Sequence, residues 1–211
     1  MNLGLIADIH ADIRALEAVL GRLDEMAVNR IYCAGDLVGY GSEPDAVVAL
    51  LRDRGIPCIS GNHDRWALER RQLLSVRGWK LADLHDDTWE ILHQLPASRR
   101  VQLDGVTIEI HHGSPASDTE YVSAYKALPP SVDEFWNRSH ADYLILGHTH
   151  IPMIERQSGG SVVNPGSVLG VPGIPTSYTF AVLDTAERSV RIFDVRTGRL
   201  IRRDPSETEN V

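Results

Sequence analysis

The stretch that decides the fold is Gly147-His148-Thr149-His150, which directly follows the apolar run Tyr143-Leu144-Ile145-Leu146. The apolar run is typical of a short buried strand. A strand that ends in glycine and then places two histidines one residue apart indicates half of a metal site. The pattern therefore predicts that other parts of the chain supply the remaining donors.

Four earlier apolar runs also end in side chains that bind metals. Their donors are carboxylates, amides and imidazoles without any cysteine, and the motifs are Asp8-Ile9-His10, Gly35-Asp36, Gly61-Asn62-His63-Asp64 and His112-Gly113. In open parallel sheets, ligands bind at the carboxyl ends of the strands, so the motifs are expected to meet. One such motif alone is weak evidence, whereas five in order, each after a strand, are strong.

The number of donors predicts more than one metal ion. Seven side chains of ligand type are present, namely Asp8, His10, Asp36, Asn62, His112, His148 and His150. Two ions about 3.5–4 Å apart that share a bridging carboxylate would use all seven. Mixed carboxylate and imidazole ligation suits divalent transition metals, so we expect two ions of manganese, with Fe, Zn, Ni or Co as alternatives.

Length and charge restrict the class of protein. The chain has 211 residues, 43% hydrophobic content and a formal net charge of −8. This size favours one domain, which we place at residues 1–201, and the polar stretch 202–211 is expected to be a disordered tail. The acidic balance argues against long nucleic acid as a partner, because that partner needs a basic face. A small anionic substrate is compatible, since bound divalent cations reverse the local charge.

Cysteine usage and the amino-terminal sequence indicate a cytoplasmic protein. Cys33 and Cys58 are expected to be buried reduced thiols, because one pair is too little for a disulfide framework. The first strand begins almost at once, with none of the segments of a secretory leader. No apolar run approaches the roughly 18 residues that a membrane span needs. A homo-oligomer stays an open alternative.

The first third of the chain alternates strands with helices, which predicts parallel pairing through βαβ crossovers. Strands are expected over residues 2–7, 30–34 and 56–60. Residues 64–95 are expected to form two helices with a break near residues 75–78. Three tryptophans of this region are interpreted as packing residues, with a substrate-facing cap as the alternative, and they are Trp66, Trp79 and Trp89.

From residue 99 onward the apolar residues alternate with a period of two, which predicts antiparallel strands. Asp104-Gly105 is a two-residue hairpin signal. Strands are expected over residues 99–103, 106–110, 142–146, 153–156, 161–163, 179–183 and 190–195. Two facing sheets with helices outside would bury both halves of the chain.

With these five motifs the chain resembles the calcineurin-like metallophosphoesterase superfamily. The family signature reads D-x-H, G-D, G-N-H-[DE], H-G and G-H-x-H, and every element is present. The resemblance implies an α/β fold, a four-layer αββα sandwich of two mixed sheets flanked by helices, with a dinuclear metal site at the strand ends. It implies that one metal is held by Asp8, His10, Asp36 and His150, and the other by Asp36, Asn62, His112 and His148.

The resemblance also implies a mechanism. A hydroxide that bridges the two ions would attack phosphorus in line, while both ions bind phosphoryl oxygens. His63 would not bind metal but would contact the phosphate and protonate the leaving oxygen. Asp64 either orients its turn or is a carboxylate at a helix N-terminus. His111 points to the opposite side of its strand from His112, so we leave it out of the ligand set.

Departures from the family pattern restrict the class of substrate that is expected. Phosphoprotein phosphatases of this superfamily carry G-D-x-V-D-R-G, whereas this chain reads Gly35-Asp36-Leu37-Val38-Gly39-Tyr40-Gly41. Gly39 and Tyr40 replace the aspartate that orients the acid histidine and the arginine that grips phosphate. The sequence looks more like the small prokaryotic phosphodiesterase branch, in which a loop resembling Asn164-Pro165-Gly166-Ser167 shapes the site.

The predicted function is therefore metal-dependent hydrolysis of phosphodiesters, with a small or cyclic nucleotide as the expected substrate. The alternatives are a phosphomonoesterase or a dinucleoside tetraphosphate hydrolase. A third alternative is a catalytically silent scaffold, which is disfavoured because scaffolds of this fold usually lose ligands or the acid histidine. No residue specifies a base or a sugar.

Overall fold

The computed structural model describes residues 1–69, 84–169 and 178–203. The strands are β1 (Asn2–Ile6), β2 (Arg30–Cys33), β3 (Ser98–Leu103), β4 (Val106–His111), β5 (Tyr143–Ile145), β6 (Met153–Gln157), β7 (Gly160–Asn164), β8 (Thr179–Asp184), β9 (Ser189–Asp194) and β10 (Leu200–Arg203). The helices are α1 (Ile13–Glu25), α2 (Pro44–Asp53), α3 (Asn62–Glu69), α4 (Asp86–Gln94) and α5 (Pro130–Ser139). No helix of these described ranges is long and apolar enough to cross a membrane.

The strands form two mixed sheets of five strands each. The first sheet has the order β10-β9-β8-β1-β2, in which β1 pairs parallel with β2 and antiparallel with β8. The second sheet has the order β3-β4-β5-β7-β6, in which β5 pairs parallel with both β4 and β7. The parallel strands therefore lie inside both sheets, and the hairpins lie towards their edges.

Three apolar layers hold four layers of secondary structure together. Alternate residues of β1 point to opposite faces, so Leu3 and Leu5 face the second sheet and Ile6 faces the helices. Helices α1, α2 and α4 cover the outer face of the first sheet, where Trp89 is buried as predicted for a packing residue. Helix α5 covers the outer face of the second sheet through Val132. The predicted αββα sandwich is thereby confirmed.

The predicted third strand, residues 56–60, is wrong in extent. Only Cys58 pairs with the first sheet, through a parallel bridge to Cys33. Pro57 accepts a hydrogen bond from the Cys33 amide at 3.0 Å but has no N–H with which to extend the ladder. Both cysteines are buried free thiols, as predicted.

Two other differences concern the chain after residue 60. Strand β10 was not predicted, and it includes Arg202 and Arg203, which the sequence analysis placed in the tail. The rest of that tail, residues 204–211, lies outside the described residues. The predicted helix break near residues 75–78 and Trp79 lie outside them as well.

Candidate metal centre

The predicted donors lie at one edge of the sandwich, where parallel strands of both sheets end. The first sheet supplies Asp8 after β1 and Asp36 after β2. The second sheet supplies His112 after β4 and His148 after β5. The remaining predicted site residues follow in the same loops or at the start of α3, and they are His10, Asn62, His63 and His150.

Five of these residues adopt a left-handed backbone conformation that side chains other than glycine rarely take. Their φ angles lie between 50° and 69°, at Asp8, His10, Asp36, His148 and His150. Each such residue costs about 1–3 kcal/mol unless the surrounding structure holds it. Here the loops hold one another, because the Asp8 amide donates to the Gly35 carbonyl at 3.0 Å. The sharp turns direct consecutive donors towards one point.

The first group of donors consists of Asp8, His10 and His150. The His150 Nε2 lies 3.5 Å from Asp8 Oδ1 and 3.0 Å from His10 Nε2. Burial lowers the pKa of His10 to about 3 and that of His150 to about 4, so both rings are neutral near pH 7. Two neutral imidazoles and a carboxylate within this distance match the ligand preference of divalent transition metals.

The second group of donors is built around the Asn62 side chain. The Asn62 Oδ1 lies 3.1 Å from His112 Nε2 and 2.8 Å from His148 Nδ1. Asn62 and His112 are buried, whereas His148 is half-buried. The amide oxygen and the two imidazole nitrogens are three potential metal ligands that lie close together.

Asp36 lies between the two groups. Its Oδ2 is 3.2 Å from His112 Nε2 and 3.6 Å from His10 Nε2. Its Oδ1 accepts a hydrogen bond from the His63 backbone amide at 2.8 Å. One oxygen of Asp36 therefore contacts donors of both groups, while the other is fixed to the start of α3.

Backbone carbonyls orient two of the histidine rings. The His10 Nδ1 lies 3.2 Å from the Val38 carbonyl, and the His112 Nδ1 lies 2.7 Å from the Ala34 carbonyl. A carbonyl accepts only, so in each ring Nδ1 carries the hydrogen that it donates. This leaves the Nε2 lone pair directed into the cluster when the ring is neutral.

Charge distinguishes Asp36 and His112 from the rest of the cluster. Burial alone would raise the pKa of Asp36, but the neighbouring His112 charge brings it below the usual range. Burial would lower the pKa of His112, yet the Asp36 charge raises it to about 10. Burial also raises the pKa of Asp8 well above its usual value. The buried carboxylates thus favour a positive charge among them, which is carried by a proton on His112 or by a cation.

One buried atom tests whether these residues fit a metal. Asp8 Oδ2 is fully buried and has no hydrogen-bond partner among the described residues. A buried carboxylate oxygen without a partner is costly, and it lies in a side chain whose other oxygen faces His150. A bound cation would satisfy this oxygen, so the residues present fit the metal that the sequence predicts.

Asp64 connects the two loops that carry Asp36 and Asn62. Its Oδ1 accepts hydrogen bonds from the Leu37 and Val38 amides, both at 3.0 Å, and its Oδ2 accepts one from the Gly61 amide at 2.9 Å. Asp64 is fully buried, and burial raises its pKa to about 7. Of the two sequence interpretations, these contacts favour the one in which Asp64 orients its turn. The Leu37 and Val38 partners could not be read from the motif, because they come from another loop.

His63 lies between two aromatic side chains. Its ring centroid is 4.7 Å from that of Tyr40 and 5.1 Å from that of Trp66. It is also within ligand distance of His10 and Asp36, so geometry alone would allow it to bind metal. In the described part of the chain, no carboxylate accepts a hydrogen bond from the ring, which agrees with glycine at position 39.

The end of β7 and the loop that follows it support the histidine turn. The Asn164 side chain donates to the Gly147 carbonyl at 2.7 Å and to Thr149 Oγ1 at 3.1 Å. Ser167 Oγ donates to the Asp8 carbonyl at 2.8 Å. The loop that the resemblance associated with the site therefore contacts both sheets' donor turns. His111, which we left out of the ligand set, packs instead against Phe135 of α5.

The chain is similar to known proteins both in sequence and in fold. The family model for the calcineurin-like phosphoesterase superfamily domain matches residues 1–188. The protein MJ0912 of Methanocaldococcus jannaschii is 29% identical over 79% of this chain and 69% of its own length. A probable metallophosphoesterase of Methanothermobacter thermautotrophicus is 28% identical over 94% of each chain. The crystal structure of a metallophosphoesterase from Sphaerobacter thermophilus has a TM-score of 0.73 and 26% identity, over 99% of this chain and 91% of that one.

Proposed function

From the premise that this chain belongs to the calcineurin-like phosphoesterase superfamily and is a hydrolase of phosphoric esters, we propose that it hydrolyses phosphodiesters with two divalent metal ions. The proposed ligands are the residues assigned from the sequence. Asp8, His10, Asp36 and His150 would hold one ion, and Asp36, Asn62, His112 and His148 the other. Asp36 is the proposed bridge.

The observation that carries this proposal is the position of Asp36. A single oxygen of this side chain faces His112 at 3.2 Å and His10 at 3.6 Å. The donor groups on its two sides include the buried Asp8 oxygen that lacks a partner among the described residues. This is the arrangement that a shared carboxylate between two ions requires.

The bound ions would lower the pKa of a water molecule held between them and offset the charge that develops on the phosphoryl oxygens. The protein's own residues orient the metal-binding loops and protonate the leaving oxygen. Asp64 fixes the Asp36 and Asn62 loops relative to each other through three backbone amides. His63 is the proposed proton donor to the leaving oxygen, and its backbone is anchored on Asp36 Oδ1 at 2.8 Å. Burial lowers the pKa of His63, so its protonated form is a stronger acid.

The surroundings of His63 support a diester substrate over a monoester. A phosphate monoester carries an additional negative charge near neutral pH, and an arginine is the usual partner for it. Here Tyr40 occupies the position that the resemblance assigns to an arginine. Arg65, three residues after Asn62, is already bound by Asp118 through two hydrogen bonds of 2.6 and 3.0 Å and by Glu69 at 2.8 Å.

Hydrolysis of bis-p-nitrophenyl phosphate against p-nitrophenyl phosphate tests the proposal, with metal-stripped protein and Mn²⁺ added back. We expect metal-dependent turnover that is faster for the diester, and two equivalents of metal by elemental analysis. Fe²⁺, Co²⁺, Ni²⁺ and Zn²⁺ added in parallel would test manganese as the preferred ion. Preference for the monoester would contradict the diester assignment, and absence of turnover with two ions bound would contradict both these substrates.

A further inference from the structure

We propose that Tyr40 and Trp66 form a stacking surface for a planar aromatic group carried by the phosphodiester beside its scissile bond. This inference rests on the proposed function, since it assigns a substrate class to the same site. The chemistry is that of an aryl ring or a nucleobase. We define the aromatic wall as the side chains of Tyr40, His63 and Trp66.

Gly39 determines where Tyr40 lies. Its φ angle is +144°, and a Cβ atom at this position would lie 2.3 Å from His10 Nδ1 and 3.0 Å from His63 Nδ1. The backbone therefore runs directly against two rings of the cluster, which only glycine allows. The next residue, Tyr40, consequently has its ring centroid 4.6 Å from that of His10 and 4.7 Å from that of His63.

Trp66 extends the wall on the other side of His63. The two residues are three positions apart on α3, so they share one face of the helix. Their ring centroids are 5.1 Å apart at an interplanar angle of 51°. Tyr40 is tilted by 60° relative to His63. The histidine that is proposed to protonate the leaving oxygen thus lies between two aromatic side chains, so a leaving group at His63 would meet them.

The chemistry of Tyr40 indicates what it contacts. Its side chain remains 46% exposed beside an acidic cluster, although the other large hydrophobic residues in its loop, Leu37 and Val38, are buried. The tyrosine ring carries no charge that would pair with a phosphate, whereas its face can stack on another planar ring. Stacking of a base on an aromatic side chain contributes roughly a tenfold or larger gain in affinity. A planar substituent on the substrate is therefore the ligand that this surface suits.

The first experiment measures binding, so that it does not depend on turnover. Two phosphonate monoanions with a stable P–C bond, methyl 2-naphthylmethylphosphonate and methyl cyclohexylmethylphosphonate, are titrated calorimetrically into the Mn²⁺-loaded protein. They carry the same charge and differ in whether their ring is planar and aromatic. We expect Tyr40→Leu to weaken the naphthyl ligand by about tenfold and the cyclohexyl ligand by less than about twofold. Tyr40→Phe should retain wild-type affinity, because it keeps the ring.

Two controls identify a merely structural effect. Tyr125 is an 81% exposed tyrosine with no ring contact among the described residues, so Tyr125→Leu should change neither affinity. Circular dichroism and metal content of Tyr40→Leu should match the wild type. Equal weakening of both ligands by Tyr40→Leu, or unchanged naphthyl affinity, would overturn the inference.

Turnover separates this inference from the proposed function. Methyl 2-naphthyl phosphate is compared with methyl hexafluoroisopropyl phosphate, because hexafluoroisopropanol is similar in acidity to 2-naphthol but has no aromatic ring. Loss of kcat/KM in Tyr40→Leu confined to the naphthyl ester supports the inference. Selective naphthyl binding without hydrolysis of any diester would support the stacking surface and refute the proposed function. Diester hydrolysis without naphthyl selectivity would support the proposed function and refute the stacking surface.

Discussion

The two ends of the sandwich both contain residues with left-handed backbone, but these residues differ in burial. At the hairpin end, where β1, β4 and β5 begin, the described residues other than glycine with positive φ are Ala27, Asp104, His140 and Arg188. All four are exposed. At the metal end they are Asp8, His10, Ala11, Asp36, His148 and His150, and these are buried or half-buried.

The same backbone conformation therefore serves two purposes. At the hairpin end it terminates a helix or closes a turn, as at Asp104, which contacts the Met1 amino group at 3.2 Å and Thr185 Oγ1 at 2.8 Å. At the metal end it turns the chain so that neighbouring side chains converge. In this fold, positive φ thus indicates the site where the side chain is also a metal donor that is at least half-buried. We therefore expect substitutions at these residues of the hairpin end to affect function less than substitutions at the metal end.

The largest effect is expected for Asp36→Asn. Removal of the charge shared by both donor groups should weaken both metal sites and lower kcat/KM by at least about a thousandfold. Elemental analysis should show fewer than two metal equivalents. Asp104→Asn is the matched control at the hairpin end, because it also has a left-handed backbone and should leave turnover unchanged. Near-normal turnover of Asp36→Asn would refute its bridging role.

The next largest effect is expected for Asp64→Ala. The substitution leaves three buried amides without an acceptor, at about 1–3 kcal/mol each, so the free energy of unfolding should fall by about 3 kcal/mol or more. For a chain of this size, the melting temperature should fall by roughly 10 °C. Urea titration and thermal melts measure both quantities.

Asp133→Ala is the control for Asp64→Ala, because Asp133 is an exposed carboxylate in the first turn of α5. It tests the alternative interpretation of Asp64 as a helix N-terminal carboxylate. That interaction contributes about 0.3–1 kcal/mol at an exposed position. Equal losses in the two variants would show that the contacts of Asp64 with the Asp36 loop add nothing.

His63→Gln should affect turnover while it leaves metal content unchanged. Loss of a proton donor costs about a hundredfold or more when the leaving group is a poor one such as an alkoxide. The loss should be smaller for p-nitrophenolate, which leaves without protonation. The measurement is kcat for a series of diesters that differ in leaving-group acidity. A uniform loss across the series would contradict the acid role, and a loss of metal would identify His63 as a ligand.

Much of this arrangement could be predicted from the sequence, because the signals are local. Each donor motif directly follows an apolar run, and a parallel sheet brings such strand ends together. The sequence motifs did not predict contacts between residues that are distant in the chain. The two hydrogen bonds that Asp64 accepts from the Leu37 and Val38 amides, and the contact of His63 with Tyr40, join segments that are distant in the sequence. Pro57 can be read from the sequence. Its effect on the predicted third strand could not, because that effect depends on where a neighbouring strand would require a hydrogen-bond donor at position 57.

The smallest effect is expected at the hairpin end, for Ala27→Gly. Ala27 follows the end of α1 with φ +50°, and the Val28 amide donates to the Leu23 carbonyl at 3.2 Å, a pattern that favours glycine at position 27. Relief of the left-handed strain, about 1–2 kcal/mol, is partly offset by the larger entropy of glycine in the unfolded chain. The free energy of unfolding should therefore rise by about 0.5 kcal/mol and turnover should not change.

His148→Gly is the corresponding substitution at the metal end. It relieves a φ of +69° in the same way, and the backbone amide that donates to Asp8 Oδ1 at 3.1 Å is retained. The imidazole beside Asn62 is lost, so metal content and turnover should fall even if the protein becomes no less stable. Thermal melts, elemental analysis and diester turnover of both variants give the comparison. If His148→Gly kept its activity, the imidazole would not be needed, and if Ala27→Gly lost it, a residue far from the donors would govern turnover. Either result would refute the distinction between the two ends.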